Sequence, residues 1–176
     1  MARDLAARYR DVRARSHALI APLSAEDACV QAMPDTSPAK WHLGHTSWFF
    51  ETFVLEPHEP GFKPCHPAFR VLFNSYYNAM GDRVARAERG HLSRPTVAEV
   101  LAYRAHVDAA MNQLLLQPLA ADVAELIELG LQHEQQHQEL LLTDILHALS
   151  CNPALPAYRG DAPAPAPAPA MPLQWL

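Results

Sequence analysis

The sequence has no CxxC pair. Its three cysteines, Cys29, Cys65 and Cys151, are far apart and odd in number, so neither a zinc ribbon nor a disulfide framework is indicated. Basic residues are outnumbered by acidic ones, 14 to 19. With no Lys/Arg stripe, the phosphate-neutralising surface of a nucleic-acid binder is missing. No apolar run is long enough to cross a membrane. The opening residues Arg3, Asp4, Arg8, Arg10 and Asp11 leave no apolar core for a signal peptide. Reduced thiols in a soluble, cytoplasmic protein are the simplest expectation. No strand run and no internal repeat stands out.

What is present is helical. In 176 residues, 49% of them hydrophobic, there is material for one domain with a real core. Leu5, Tyr9, Val12, Ser16 and Leu19 repeat at helical spacing and predict an amphipathic helix from about 3 to 20. Ser24 and Asp27 could start a short turn that Pro34 ends. Ser37-Pro38 reads as an N-cap with proline at the first helical position, opening a second helix that Pro57 stops. Residues 57–66 read as irregular, 67–80 as apolar and aromatic with a helical piece, and 81–94 as a polar, ordered loop. Thr96 and Glu99 form a capping-box pattern for a third helix to about 116. A fourth is expected from Asp122 to about Leu149. Four long helices give an all-α, four-helix bundle over 1–152.

Residues 153–176 are rich in alanine and proline. The run Ala162 to Pro169 predicts a semi-rigid spacer reaching on the order of 25 Å. Such a spacer joins two things, so the expectation is a linker towards a second domain that this chain lacks, with Trp175 exposed within it.

The chemical signal is His133-Glu134-Gln135-Gln136-His137. Histidines at i and i+4 share a helical face, so both rings can reach one metal. The row Leu126, Gly130, His133, His137, Leu140, Asp144 reads as a buried seam, with Gly130 allowing a close helix approach. The second helix offers the row Trp41, His45, Trp48, Thr52, Leu55, placing His45 between two tryptophans. Three inward histidines can make a three-nitrogen site with open positions. His42, one turn earlier, is a rival ligand that spacing alone does not exclude. A zinc protease is a second rival, because HExxH would make Glu134 a general base. It fails on ligand supply: the extended motif needs Gly and His where Leu140 and Thr143 stand, and no glutamate follows Glu139. On a bundle helix, Glu134 and Glu139 are expected to orient imidazoles or to face water.

Trp41-His42-Leu43-Gly44-His45 together with His133 to Glu139 resembles the DinB-like metal-binding superfamily. With Phe73 to Arg83 and Leu92 to Thr96, it is similar more narrowly to the N-terminal domain of the ergothioneine-biosynthesis sulfoxide synthases (EgtB-like), including the related selenoneine synthases. The resemblance implies a DinB-like bundle holding non-haem iron(II) through His45, His133 and His137, which favours His45 over His42. It implies O2-dependent joining of a thiol or selenium donor to hercynine, yielding a sulfoxide in the thiol case. Gln136 would lie near the bound imidazole, and Arg83 and Arg86 are candidates for the thiol's carboxylates. A sulfatase-modifying-factor-like second domain would supply a catalytic tyrosine. Iron is implied by the resemblance alone, since three imidazoles also suit zinc, nickel or copper. A DinB-like thiol S-transferase and a non-catalytic metal-binding module are the competing functions.

Overall fold

The computed structural model of the chain describes residues 2–75 and 81–160. Tyr76 and Tyr77, the Ala/Pro spacer and Trp175 lie outside the described residues. Six α-helices and no strand occur among those described: α1 Ala2–Ile20, α2 Ala39–Phe49, α3 Glu56–His58, α4 Phe69–Leu72, α5 Val97–Leu114 and α6 Ala121–Ser150. A π-helical stretch, Phe50–Leu55, joins α2 to α3 without a break. The long elements α1, α2, α5 and α6 form the expected all-α bundle: α1 packs on α6, and α2 packs on both α5 and α6.

Every residue of α2 is buried, Lys40, His42 and His45 included. An element surrounded on all sides must satisfy its polar groups internally, and two of its side chains do so through backbone carbonyls. The Lys40 ammonium donates to the carbonyls of Ser93 and Pro95, and Ser47 Oγ donates to the Leu43 carbonyl. The π-helical stretch is invisible to a 3.6-residue pattern, yet Trp41, His45, Trp48, Thr52 and Leu55 are all buried as that pattern predicts.

At the start of α2 the cap differs from expectation. Pro38 occupies the cap position, and no side chain caps the helix. Ser37 is used elsewhere: its backbone N–H donates to Asp144 Oδ2 at 2.8 Å, and its hydroxyl accepts from Arg89. By contrast, the capping box of α5 forms as read, with Thr96 Oγ1 accepting from Glu99 N–H and the Glu99 carboxylate accepting from Thr96 N–H. Ser24 and Asp27 hydrogen-bond each other's backbone N–H and open a 3-10 turn, Asp27–Cys29.

The buried face of α6 is centred on Val123, Ile127, Leu131, Glu134, Leu141 and Ile145. The seam read from the sequence is displaced by about one residue from this centre, so His133 and His137 occupy its shoulder and are only partly buried. Gly130 is needed for a close approach. A Cβ there would sit 2.6 Å from the Phe50 ring and 2.9 Å from Phe49. Beyond α6 the chain stays docked as far as Tyr158, whose hydroxyl donates to the Leu19 carbonyl.

Candidate metal centre

His45, His133 and His137 converge across the α2–α6 interface. One nitrogen from each lies within 4.8 Å of the others, and the ring centroids are 4.6 to 4.9 Å apart. The α2 backbone brings His45 between Trp41 and Trp48, whose rings stack on it at 4.6 and 5.6 Å with planes 14° from parallel. Its Nδ1 lies 2.6 Å from the Phe73 carbonyl oxygen. A carbonyl only accepts, so Nδ1 carries the proton and the Nε2 lone pair is left for a ligand. Phe73 holds this position because Gly44 has no side chain; a Cβ there would collide with the Phe73 ring.

Burial drives all these imidazoles towards the neutral form. It holds His133 down at about 4, against the opposing pull of Glu134. His45 and His137 lie well below the ordinary histidine value, first through burial and then through neighbouring imidazoles. Neutral imidazole is the form that ligates a metal. His133 Nδ1 is buried with no hydrogen-bond partner among the described residues, a costly state for a polar atom.

His42 is not in the converging set. Its Nδ1 faces His137 Nδ1 at 2.9 Å and its Nε2 faces Asp144 Oδ2 at 3.1 Å, so both of its nitrogens are already engaged. His42 thus lies beside the converging three, in the same cavity lining.

The triad opens onto a cavity of about 410 Å³, whose wall includes Trp41, Ser75, Arg86, Arg89, Gln136 and Leu140. Gln136 and Arg86, two of the three residues named from the sequence, line the cavity beside the triad. Arg83 does not line this cavity; its guanidinium donates to the Ser75 carbonyl at 2.9 Å. The sequence reading missed Arg89. It is buried, lies 3.4 Å over the Trp41 ring, and donates to the hydroxyls of Ser37 and Ser75. Its position in a polar run gave no periodic signal that could have singled it out.

Glu134 departs furthest from expectation. It orients no imidazole and does not face water. Its side chain is fully buried and paired with Arg13 and Arg104, with Ser16 Oγ donating at 2.6 Å. Burial alone would raise its carboxyl, but the two guanidiniums outweigh that and hold it at about 2. A carboxylate so engaged cannot serve as the general base of a protease. Glu139 is exposed, as one of the two readings had it.

A family model for the DinB superfamily matches residues 8–141. The chain belongs to the DinB superfamily. The matched span runs from α1 into α6 and contains the whole histidine triad. No curated protein matches the chain. The donor set of this DinB bundle fits a divalent transition metal: three neutral nitrogens from two facing helices could hold an ion and leave coordination positions open towards the cavity.

Proposed function

We propose that this chain is the iron(II)-binding domain of an O2-dependent sulfoxide synthase that joins a small thiol, or in the selenium variant a selenol, to the imidazole of hercynine. The observation that carries this reading is the cavity: the three converging imidazoles and His42 line it together with Arg86, Arg89 and Gln136. The motif resemblance supplies the reaction class.

Both organic substrates carry carboxylates, and guanidinium groups bind carboxylates in forked geometry. Arg86 and Arg89 would hold the thiol's carboxylates beside the metal. Gln136, one residue before His137, would hydrogen-bond the hercynine imidazole and set which carbon faces the sulfur. Trp41 and Leu140 would exclude water from the reacting atoms. Iron(II) bound by three neutral ligands would supply open positions for O2 and thiol, and the electrons for O2 activation. In this reading the acid that completes the reaction belongs to a sulfatase-modifying-factor-like domain. The substrates are small and water-soluble, so neither nucleic acid nor a membrane is a partner, and the cytoplasm is the place of action. No helix among the described residues is long and apolar enough to cross a membrane.

The same cationic wall would also accept a low-molecular-weight thiol in a metal-dependent S-transferase. Binding of NO to the anaerobic iron(II) protein, followed by electron paramagnetic resonance, separates the two. The proposal expects hercynine and thiol each to perturb the iron–NO signal. A signal indifferent to hercynine, with thiol and an electrophile turned over without O2, would establish the transferase instead.

A further inference from the structure

The chain Ser37–Asp144–His42–His137 has a direction that elementary hydrogen-bond chemistry dictates. Asp144 Oδ2 accepts the Ser37 N–H at 2.8 Å, which fixes that oxygen at the mouth of the α2–α6 interface. His42 Nε2 lies 3.1 Å from the same oxygen. A carboxylate oxygen accepts, so His42 Nε2 must carry the proton of a neutral ring. That leaves His42 Nδ1 with only a lone pair. The nitrogen facing it, His137 Nδ1 at 2.9 Å, must therefore be the donor. With its proton on Nδ1, the His137 ring has an unprotonated Nε2.

From this chain of acceptors we infer that His42 and Asp144 are positioning residues that set the tautomer and ring orientation of His137, so that its Nε2 lone pair is ready for a metal before any metal arrives. His45 is set in the same way by the Phe73 carbonyl. The two helices thus pre-arrange two of the three donors by unrelated means, a backbone oxygen for one and a relayed carboxylate for the other. Ligating imidazoles commonly give their second N–H to such an acceptor, which fixes the ring and raises its basicity. An imidazole in the middle of the relay is required here because Asp144 sits two helical turns beyond His137 on α6, too far for direct contact. His42, contributed by α2, spans that gap.

The inference rests on the metal reading of the triad, and its test keeps the two apart. Nitrogen-15 NMR of the metal-free full chain reads the protonation site of each histidine directly. The expected result is a protonated Nδ1 and bare Nε2 at His137. Zn(II) titration then compares His42→Leu, which deletes the acceptor, with His42→Gln, whose amide can accept from His137 and donate to Asp144 at once. The Leu variant should weaken Zn(II) binding by about 10- to 100-fold and lose the single His137 tautomer, while the Gln variant recovers both. Asp144→Leu should behave like His42→Leu, and Asp144→Asn, which keeps an oxygen acceptor, like wild type. A proton found on His137 Nε2 in the wild-type chain, or unchanged Zn(II) affinity in both Leu variants, would overturn the inference. A wild-type chain that shows the expected tautomer and binds no Zn(II) would overturn the metal reading instead.

Discussion

His133 and Glu134 are neighbours in sequence, yet they belong to two polar clusters of opposite kind. Glu134 sits in a closed knot with Arg13, Arg104 and Ser16, and Arg13 also reaches Asp108 and Ser47. Tyr9 completes it through its own hydrogen bond to Asp108. Charge is neutralised inside the knot and both carboxylate oxygens have donors. His133 sits in an open cluster of neutral rings, where a buried nitrogen has no hydrogen-bond partner among the described residues and a cavity lies in front. A polar cluster that satisfies itself holds a fold together; one that leaves lone pairs converging on a space is arranged for something that enters it.

The largest effect should come from opening the knot. Glu134→Ala strands two buried guanidiniums and should cost about 3–5 kcal/mol in urea unfolding. Near-wild-type stability would mean that the knot is not structural and would erase the contrast. Next, Gly130→Ala forces a methyl group into the Phe49 and Phe50 rings. It should cost about 1–3 kcal/mol and also loosen the metal site, because Phe49 packs 4.9 Å from the His133 ring.

Acid separates the clusters by pH window. His133 has a folded value of about 4 against an ordinary 6.5. Its stabilising share is full above the unfolded value and is lost as pH falls from 6.5 through 4. Glu134 is held at about 2 against 4.5, so its share is lost in the lower window, from 4.5 towards 2. Metal-free protein should therefore weaken in two stages. His133→Leu should remove only its own share of the upper stage, to which His42, His45 and His137 also contribute, and leave the Glu134 stage in place, as measured by unfolding at a series of pH values. The smallest effect on stability at neutral pH should be that of His133→Leu itself. Exchanging a half-buried imidazole for an apolar group of similar reach should shift the unfolding free energy by no more than about 1 kcal/mol.

The open cluster was legible in the sequence and the closed one was not. Two histidines at i,i+4 announce themselves by spacing, because a helix turns local periodicity into a shared face; on the second helix spacing offered both His42 and His45, and only the resemblance favoured His45. Glu134 shares that motif, so the same spacing invited a role beside the imidazoles. Its true partners come from α1 and α5, 121 and 30 residues away. A signal did exist: Arg13 and Arg104 each lie on the apolar face of their helix, beside Tyr9 and Ser16 in one case and Val100, Tyr103 and Val107 in the other. A charge in such a stripe demands a buried counter-charge. His42 could be recognised as buried and near the site, but its position between His137 and Asp144 depends on the angle between two helices, which no local pattern encodes. Arg89 lies in a 3-10 turn, Arg86–His91, where the apolar periodicity that marks helix faces is absent.

The central claim is that the open cluster holds a metal and the closed one does not. Anaerobic iron(II) binding to untagged protein, read as metal content after desalting, tests it most directly. The account predicts about one ion per chain in wild type, none in His133→Ala or His137→Ala with the helical fold intact, and an unchanged ratio in any Glu134 variant that still folds. Metal-free wild-type protein under every loading condition, or histidine variants that keep the ion, would contradict it.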